Sequence, residues 1–170
     1  MVSIFRKLGK IKFNKRLRFM KKLTVTFLLV ILSITSAFAA DDAIETRKFW
    51  ARATIGQNLT TAVYGIMENT TGQDDALVSV STPAARMAQI HRTTMNDMGI
   101  MSMNHMEKVV LKNDTFVVME PGDIHIMLMG LNQKLEPGFE IPLTLEFENA
   151  PKRQIRVPVY PATTKFGDVQ

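Results

Sequence analysis

The chain has 170 residues, room for one domain with a real core, and no cysteine. That excludes disulfides, zinc fingers, iron–sulfur ligation, cysteine nucleophiles and a blue-copper electron-transfer site, all of which need a thiolate sulfur. Nine of the 21 basic residues and none of the 16 acidic ones precede residue 40, so the remainder carries 12 basic against 16 acidic, a net of −4. The overall pI of 9.6 belongs to the leading segment, and nothing favours a nucleic-acid or anionic-membrane partner.

The leading segment reads as a secretory signal peptide, residues 1–39. Arg6 to Lys22 supply the charge, residues 23–34 the apolar run, and Ala37-Phe38-Ala39 the small-residue cleavage site. An apolar run of 12 residues is short of the roughly 20 that span a bilayer, so cleavage is favoured over an anchor and an exported, periplasmic location is expected. Met20-Lys21-Lys22 would itself make a normal start, and a start there would make residues 1–19 an over-called extension.

From residue 40 the period is 2. Strands are expected at 46–53, 61–67, 76–80, 86–93, 107–111, 115–119, 124–131, 141–147 and 154–159. Turn signals separate them, among them Asn113-Asp114, Pro121-Gly122-Asp123, Pro137-Gly138 and Ala150-Pro151. Short strands at this spacing without a helical period predict an all-β domain over 40–160, an antiparallel sandwich or small barrel. Residues 161–170 read as a short loose tail, and Trp50 as a core anchor.

Twelve methionines is a high count, and all but Met1, Met20 and Met67 lie between Met87 and Met129, together with the three histidines His91, His105 and His125. Cores use methionine sparingly. Alternation places His125, Met127 and Met129 on one face of their strand, with Ile126 and Leu128 on the other. An imidazole and a thioether about 6.6 Å apart along a strand can reach one metal ion. His91 sits near the end of its own strand. The segment 94–106, TMNDMGIMSMNHM, reads as a methionine-rich loop or hairpin. Thioethers beside imidazoles suit Cu(I), whereas zinc, magnesium and calcium favour thiolate or harder donors. Met87 and Met129 are expected in the core. Met95, Met98, Met101 and Met106 suit an outer shell or capture surface, and His105 reads as a solvated histidine. No Ser–His–Asp set, phosphate loop or placed carboxylate pair signals catalysis.

The pattern His91, eleven residues, Met103, twenty-one residues, His125, one residue, Met127 resembles the PCu(A)C-type periplasmic copper chaperones. So do GIMSM at 99–103, PGDIHIMLMGL at 121–131, FWARAT at 49–54 and TAVYGIMEN at 61–69. The likeness spans about residues 45–160. It implies a cupredoxin-like Greek-key β-sandwich lacking the copper cysteine, and one Cu(I) per chain held by His91, Met103, His125 and Met127. It further implies a monomeric, non-enzymatic carrier that delivers copper to a partner such as the dinuclear copper centre of cytochrome oxidase or a thioredoxin-like copper protein. The residue after the first histidine, often methionine in that family, is Arg92, and Asn104-His105-Met106 adds donors not usual there. Met101, Met103 and Met106 therefore all stand as candidates for the third ligand, with Met101, His105 and Met106 as auxiliary donors. A copper-dependent redox enzyme and a metal-free structural sandwich are the competing readings. Two thioethers disfavour the Cu(II) that the first requires, and the second predicts no metal binding at all.

Overall fold

The computed structural model describes residues 44–169, so the leader expected over 1–39 lies outside the described residues. Ten strands and one short 3-10 turn follow in chain order: β1 (Ile44–Arg52), β2 (Thr60–Asn69), β3 (Asp75–Ser81), β4 (Ala85–Met95), β5 (Met101–His105), β6 (Val109–Leu111), β7 (Thr115–Met119), β8 (Ile124–Leu131), β9 (Glu140–Phe147), β10 (Arg153–Tyr160) and the turn Phe166–Asp168. Every strand expected from the alternation is present. β5 is an addition: the methionine-rich segment is a hairpin whose return arm pairs with β4.

The strands run in the order β5-β4-β8-β2-β1-β10-β9-β3-β6, with β7 pairing the second half of β2 where β8 has left it. All pairings are antiparallel except β1 with β10, which meet in parallel at Ala51↔Val159 and Arg52↔Tyr160. The sheet is therefore mixed, which departs from the purely antiparallel expectation. The parallel contact joins the first and last strands, so the whole domain serves as their connection and no dedicated crossover is needed.

β9 shows the pattern in its simplest form. Ile141, Leu143, Leu145 and Phe147 point inward, while Pro142, Thr144 and Glu146 alternate outward. They meet Val63, Met67, Ile90, Met119, Ile126 and Leu128 from the facing strands in one continuous core. Asp75 and Asn69 are buried with it and fully engaged. Asn69 Nδ2 donates to the carbonyls of Leu111 and Gln73, and its Oδ1 accepts from the Thr71 N–H and hydroxyl.

β1 breaks simple alternation. The pairing with β2 shifts register between Arg47 and Trp50, and Lys48 takes a positive φ of 52°. This bulge changes parity, so Ile44 and Phe49 both face the main core. Trp50 turns to the opposite face, fully buried against Tyr64 and Val169, with Phe166 and Tyr160 alongside. Trp50 is a core anchor as expected, here of a second cluster behind the sheet. One expectation changes: residues 166–169 are docked on that cluster instead of forming a loose tail.

Candidate metal centre

Directly paired residues on neighbouring strands share a face, so the register of β5, β4, β8 and β2 reads as rows across the sheet. His91 pairs with His105 on one side and His125 on the other. The pairs Ala62↔Met127 and Val63↔Ile126 extend the same row to Tyr64, beside His125. Ring centroids step across at 5.8 Å from His105 to His91, 6.2 Å from His91 to His125, 6.2 Å from His125 to Tyr64 and 4.9 Å from Tyr64 to Trp50. The next row on one side holds Thr93 and Met103, and the next on the other holds Gln89 and Met127. Two thioethers thus flank the imidazole row from opposite sides of one face.

Met103, His125, Met127, Tyr64 and Thr93 line a single cavity of about 360 Å³. His91 lies beside His125 on the neighbouring strand and does not itself line that cavity. His125 is 4% exposed and Met103 is 48% exposed, so a buried imidazole lies under a half-exposed sulfur.

The imidazole hydrogen bonds decide which nitrogens are free. His125 Nδ1 lies 3.0 Å from the Asp123 carbonyl oxygen, which can only accept. Nδ1 is therefore the protonated nitrogen and Nε2 keeps its lone pair, the arrangement in which a histidine ligates a metal. His91 Nε2 donates to Gln89 Oε1 at 3.2 Å, leaving Nδ1 as the lone-pair nitrogen. That Nδ1 is buried and has no hydrogen-bond partner. An unpaired buried acceptor costs free energy, and a metal ion would remove that cost. Burial, with the neighbouring His125 and His105 adding to it, lowers the His91 pKa and keeps the ring neutral, as ligation requires.

The strand ends hold these groups in place. Pro121 to Asp123 form the turn into β8, and the Asp123 N–H donates to the Glu120 carbonyl. Arg92, on the other face of β4 from His91, pairs with Asp123 at 3.1 Å and ties that turn to β4. The Thr93 N–H donates to the Asp123 carbonyl, the same oxygen that takes the His125 bond. On the far side of the cavity the Arg52 guanidinium lies 5.4 Å from the Tyr64 ring centroid. Burial raises the Tyr64 pKa, partly offset by Arg52, so the phenol stays protonated beside His125.

Among the described residues, no three histidines, aspartates or glutamates are gathered closely enough to hold a metal by themselves. Met103 and Met127 beside these imidazoles would make a neutral, soft donor set, of the kind that suits Cu(I) rather than magnesium or calcium. The three candidates for the remaining sulfur occupy different places. Met103 lines the cavity. Met101 is exposed one row further out, paired with Met95. Met106 turns inward against the main core. His105 is exposed and next to His91. Met87 and Met129 pair with each other on the outer face, with Met87 51% exposed, so the expectation of core packing does not hold for Met87. Gln89, Tyr64 and Arg52 carry no signal in the sequence that ties them to this site. Only the pairing register, invisible in a single chain, reveals them.

Two curated relatives cover about seventy per cent of the chain. It is 30% identical to the "Putative lipoprotein Lxx21020" of Leifsonia xyli subsp. xyli (strain CTCB07), over 69% of this chain and 70% of that protein. It is 31% identical to "Uncharacterized protein RP573" of Rickettsia prowazekii (strain Madrid E), over 71% of this chain and 68% of that one. Among solved structures it is similar to the copper-bound PCuAC domain from PmoF2, with a TM-score of 0.59 at 22% identity, over 70% of this chain and 96% of that domain. It is also similar to the CuI-DR1885 solution structure from Deinococcus radiodurans, with a TM-score of 0.52 at 24% identity, over 75% and 85% of the two chains. At such identities these likenesses show the fold, a cupredoxin-like β-sandwich. Residues 44–159 match the family described as "Putative lipoprotein LpqE-like", and the chain is a member of that LpqE-like family.

Proposed function

We propose that this protein is an exported copper carrier of the PCu(A)C type, holding one Cu(I) between His91 Nδ1, His125 Nε2 and the sulfurs of Met103 and Met127. The observation that carries this reading is the pair of thioethers flanking an imidazole row in which one buried nitrogen has no partner. The copper named for the PmoF2 domain and for DR1885 supports it, since both share the fold.

The donor set explains transfer. Thioethers and neutral imidazoles would hold Cu(I) without thiolate charge, and the half-exposed Met103 would give an incoming ligand access to the ion. A partner bearing cysteine thiolates takes the ion downhill, and no acid–base or redox step is required. Acceptors of that kind are the dinuclear copper centre of an oxidase or a thioredoxin-like copper protein.

X-ray absorption of the Cu(I)-loaded protein, with copper limiting, tests the ligand set. Two sulfur and two nitrogen scatterers are expected, with one sulfur lost in Met103→Leu and none in Met101→Leu. A spectrum unchanged by Met103→Leu would remove Met103 from the centre.

A further inference from the structure

The β4–β5 hairpin runs past the end of β8. The last β4–β8 pair is Arg92↔Ile124, whereas β4 continues to Met95. Beyond the Thr93–Met103 pair, which lines the inner cavity, the hairpin tip is exposed on both faces, and the two faces differ. Thr94, Ser102 and Asn104 share one face, joined by a Thr94–Ser102 hydroxyl bond of 2.9 Å and by Asn104 Nδ2 donating to Thr94 Oγ1 at 3.3 Å. Met95, Met101 and Met103 share the other, with His91 and His105 following on it. Met95 and Met101 are direct cross-strand partners, so their β-carbons are about 5 Å apart.

The turn joining these arms carries Met98 and is built around Asn96. The Asn96 side-chain oxygen accepts from the N–H groups of Met98 at 3.1 Å and Ile100 at 2.9 Å, while the Asn96 and Ile100 backbones and the Gly99 N–H close the loop. Met98, Met95 and Met101 are 79%, 69% and 60% exposed. Three long thioether side chains exposed on one tightly hydrogen-bonded tip, two of them direct cross-strand partners and the third in the turn that joins their strands, gain little from the hydrophobic effect. Their common chemistry is a neutral, soft sulfur donor.

We infer that Met95, Met98 and Met101 form a second, outer Cu(I) site of three thioethers at the hairpin tip, distinct from the His/Met centre. The site takes a soft monovalent cation from solution and holds it weakly, because no charge and no imidazole contributes. Met103 is the next residue on the same face of β5, about 7 Å along from Met101, and lines the inner cavity. The outer ion thereby lies one thioether away from the inner centre. No bond other than metal–sulfur coordination forms or breaks, and the copper stays Cu(I) throughout. The inference rests on the copper reading only for what happens after capture; the outer site stands or falls by itself.

The test uses Ag(I), a redox-inert stand-in for Cu(I), titrated into protein whose methionine methyl groups carry ¹³C. Wild type should take up two equivalents. The first should shift the Met103 and Met127 methyl resonances, and the second, in faster exchange, those of Met95, Met98 and Met101. The combined Met95→Leu, Met98→Leu, Met101→Leu variant keeps apolar bulk at exposed positions and should bind one equivalent. The His125→Ala, Met127→Ala variant should keep the outer equivalent. Ag(I) uptake that never shifts the Met95, Met98 and Met101 methyl resonances of wild type would overturn the outer site, whatever the inner site does. So would two equivalents that survive loss of all three hairpin methionines. Two equivalents of which only the outer responds to substitution would uphold this site while removing the inner one.

Discussion

Replacing Asp75 by asparagine should destabilise the domain by about 2–3 kcal/mol without touching metal binding. The Asp75 carboxylate is 5% exposed at the start of β3 and serves three backbone donors. Oδ1 accepts the N–H of Ala76 at 2.7 Å and of Asn149 at 3.0 Å, and Oδ2 accepts that of Ala150 at 2.7 Å, which closes the turn between β9 and β10. Asparagine preserves the shape but must aim an NH₂ at one of these donors. At least one charge-assisted bond is lost, about 1.5–3 kcal/mol, and a half-buried N–H is left unpaired. For a domain of this size the loss corresponds to roughly 10 °C in Tm. The pH dependence supplies a second check. Burial pushes the Asp75 pKa up, but the surrounding N–H groups outweigh it and hold it below the ordinary aspartate value. A depressed folded-state pKa contributes stability present above the unfolded value and lost as pH falls through the folded one. The wild-type advantage should therefore be full at pH 5–7 and shrink below about pH 4. Urea unfolding followed by circular dichroism across that range reads both effects. A deficit under 1 kcal/mol at pH 7 would show that the carboxylate does not organise this turn.

Two further outcomes follow from the packing. A Cβ on Gly65 would lie 2.5 Å from the buried Phe49 ring, so Gly65→Ala should cost about 1–3 kcal/mol, and Phe49→Leu in the same chain should recover part of it in a double-mutant cycle. Trp50 is the single tryptophan and is fully buried under the C-terminal segment. Ending the chain at Thr163 should red-shift its fluorescence, whereas unchanged emission would mean that Phe166 and Val169 do not cover it.

Much of this molecule could be read from the chain because most strands bury one face and expose the other. β9 repeats that contrast every second residue, and β7 and β8 begin and end where turn residues place them. The missing parts have particular causes. Alternation carries no sign of the one-residue bulge at Lys48, which turns Trp50 to the opposite face from Phe49. The 166–169 segment lacks periodicity, and its burial depends on a tryptophan far away in sequence. For the proposed metal centre, strand alternation places His125 and Met127 on one face. Their alignment with His91, and the separation of Met103 from Met106, come from the register of β4 against β5 and β8. Met87 alternates like a core residue, but the face it shares with Met129 is uncovered at that edge.

The copper account is tested most directly by anaerobic competition for Cu(I) between residues 40–170 and a colorimetric chelator strong enough to strip isolated thioethers. One equivalent should be withheld from the chelator by wild type, and that equivalent should be lost in both His125→Ala and Met127→Ala. No withholding by wild type, or withholding unaffected by either substitution, would contradict the His/Met centre and with it the proposed role in copper transfer.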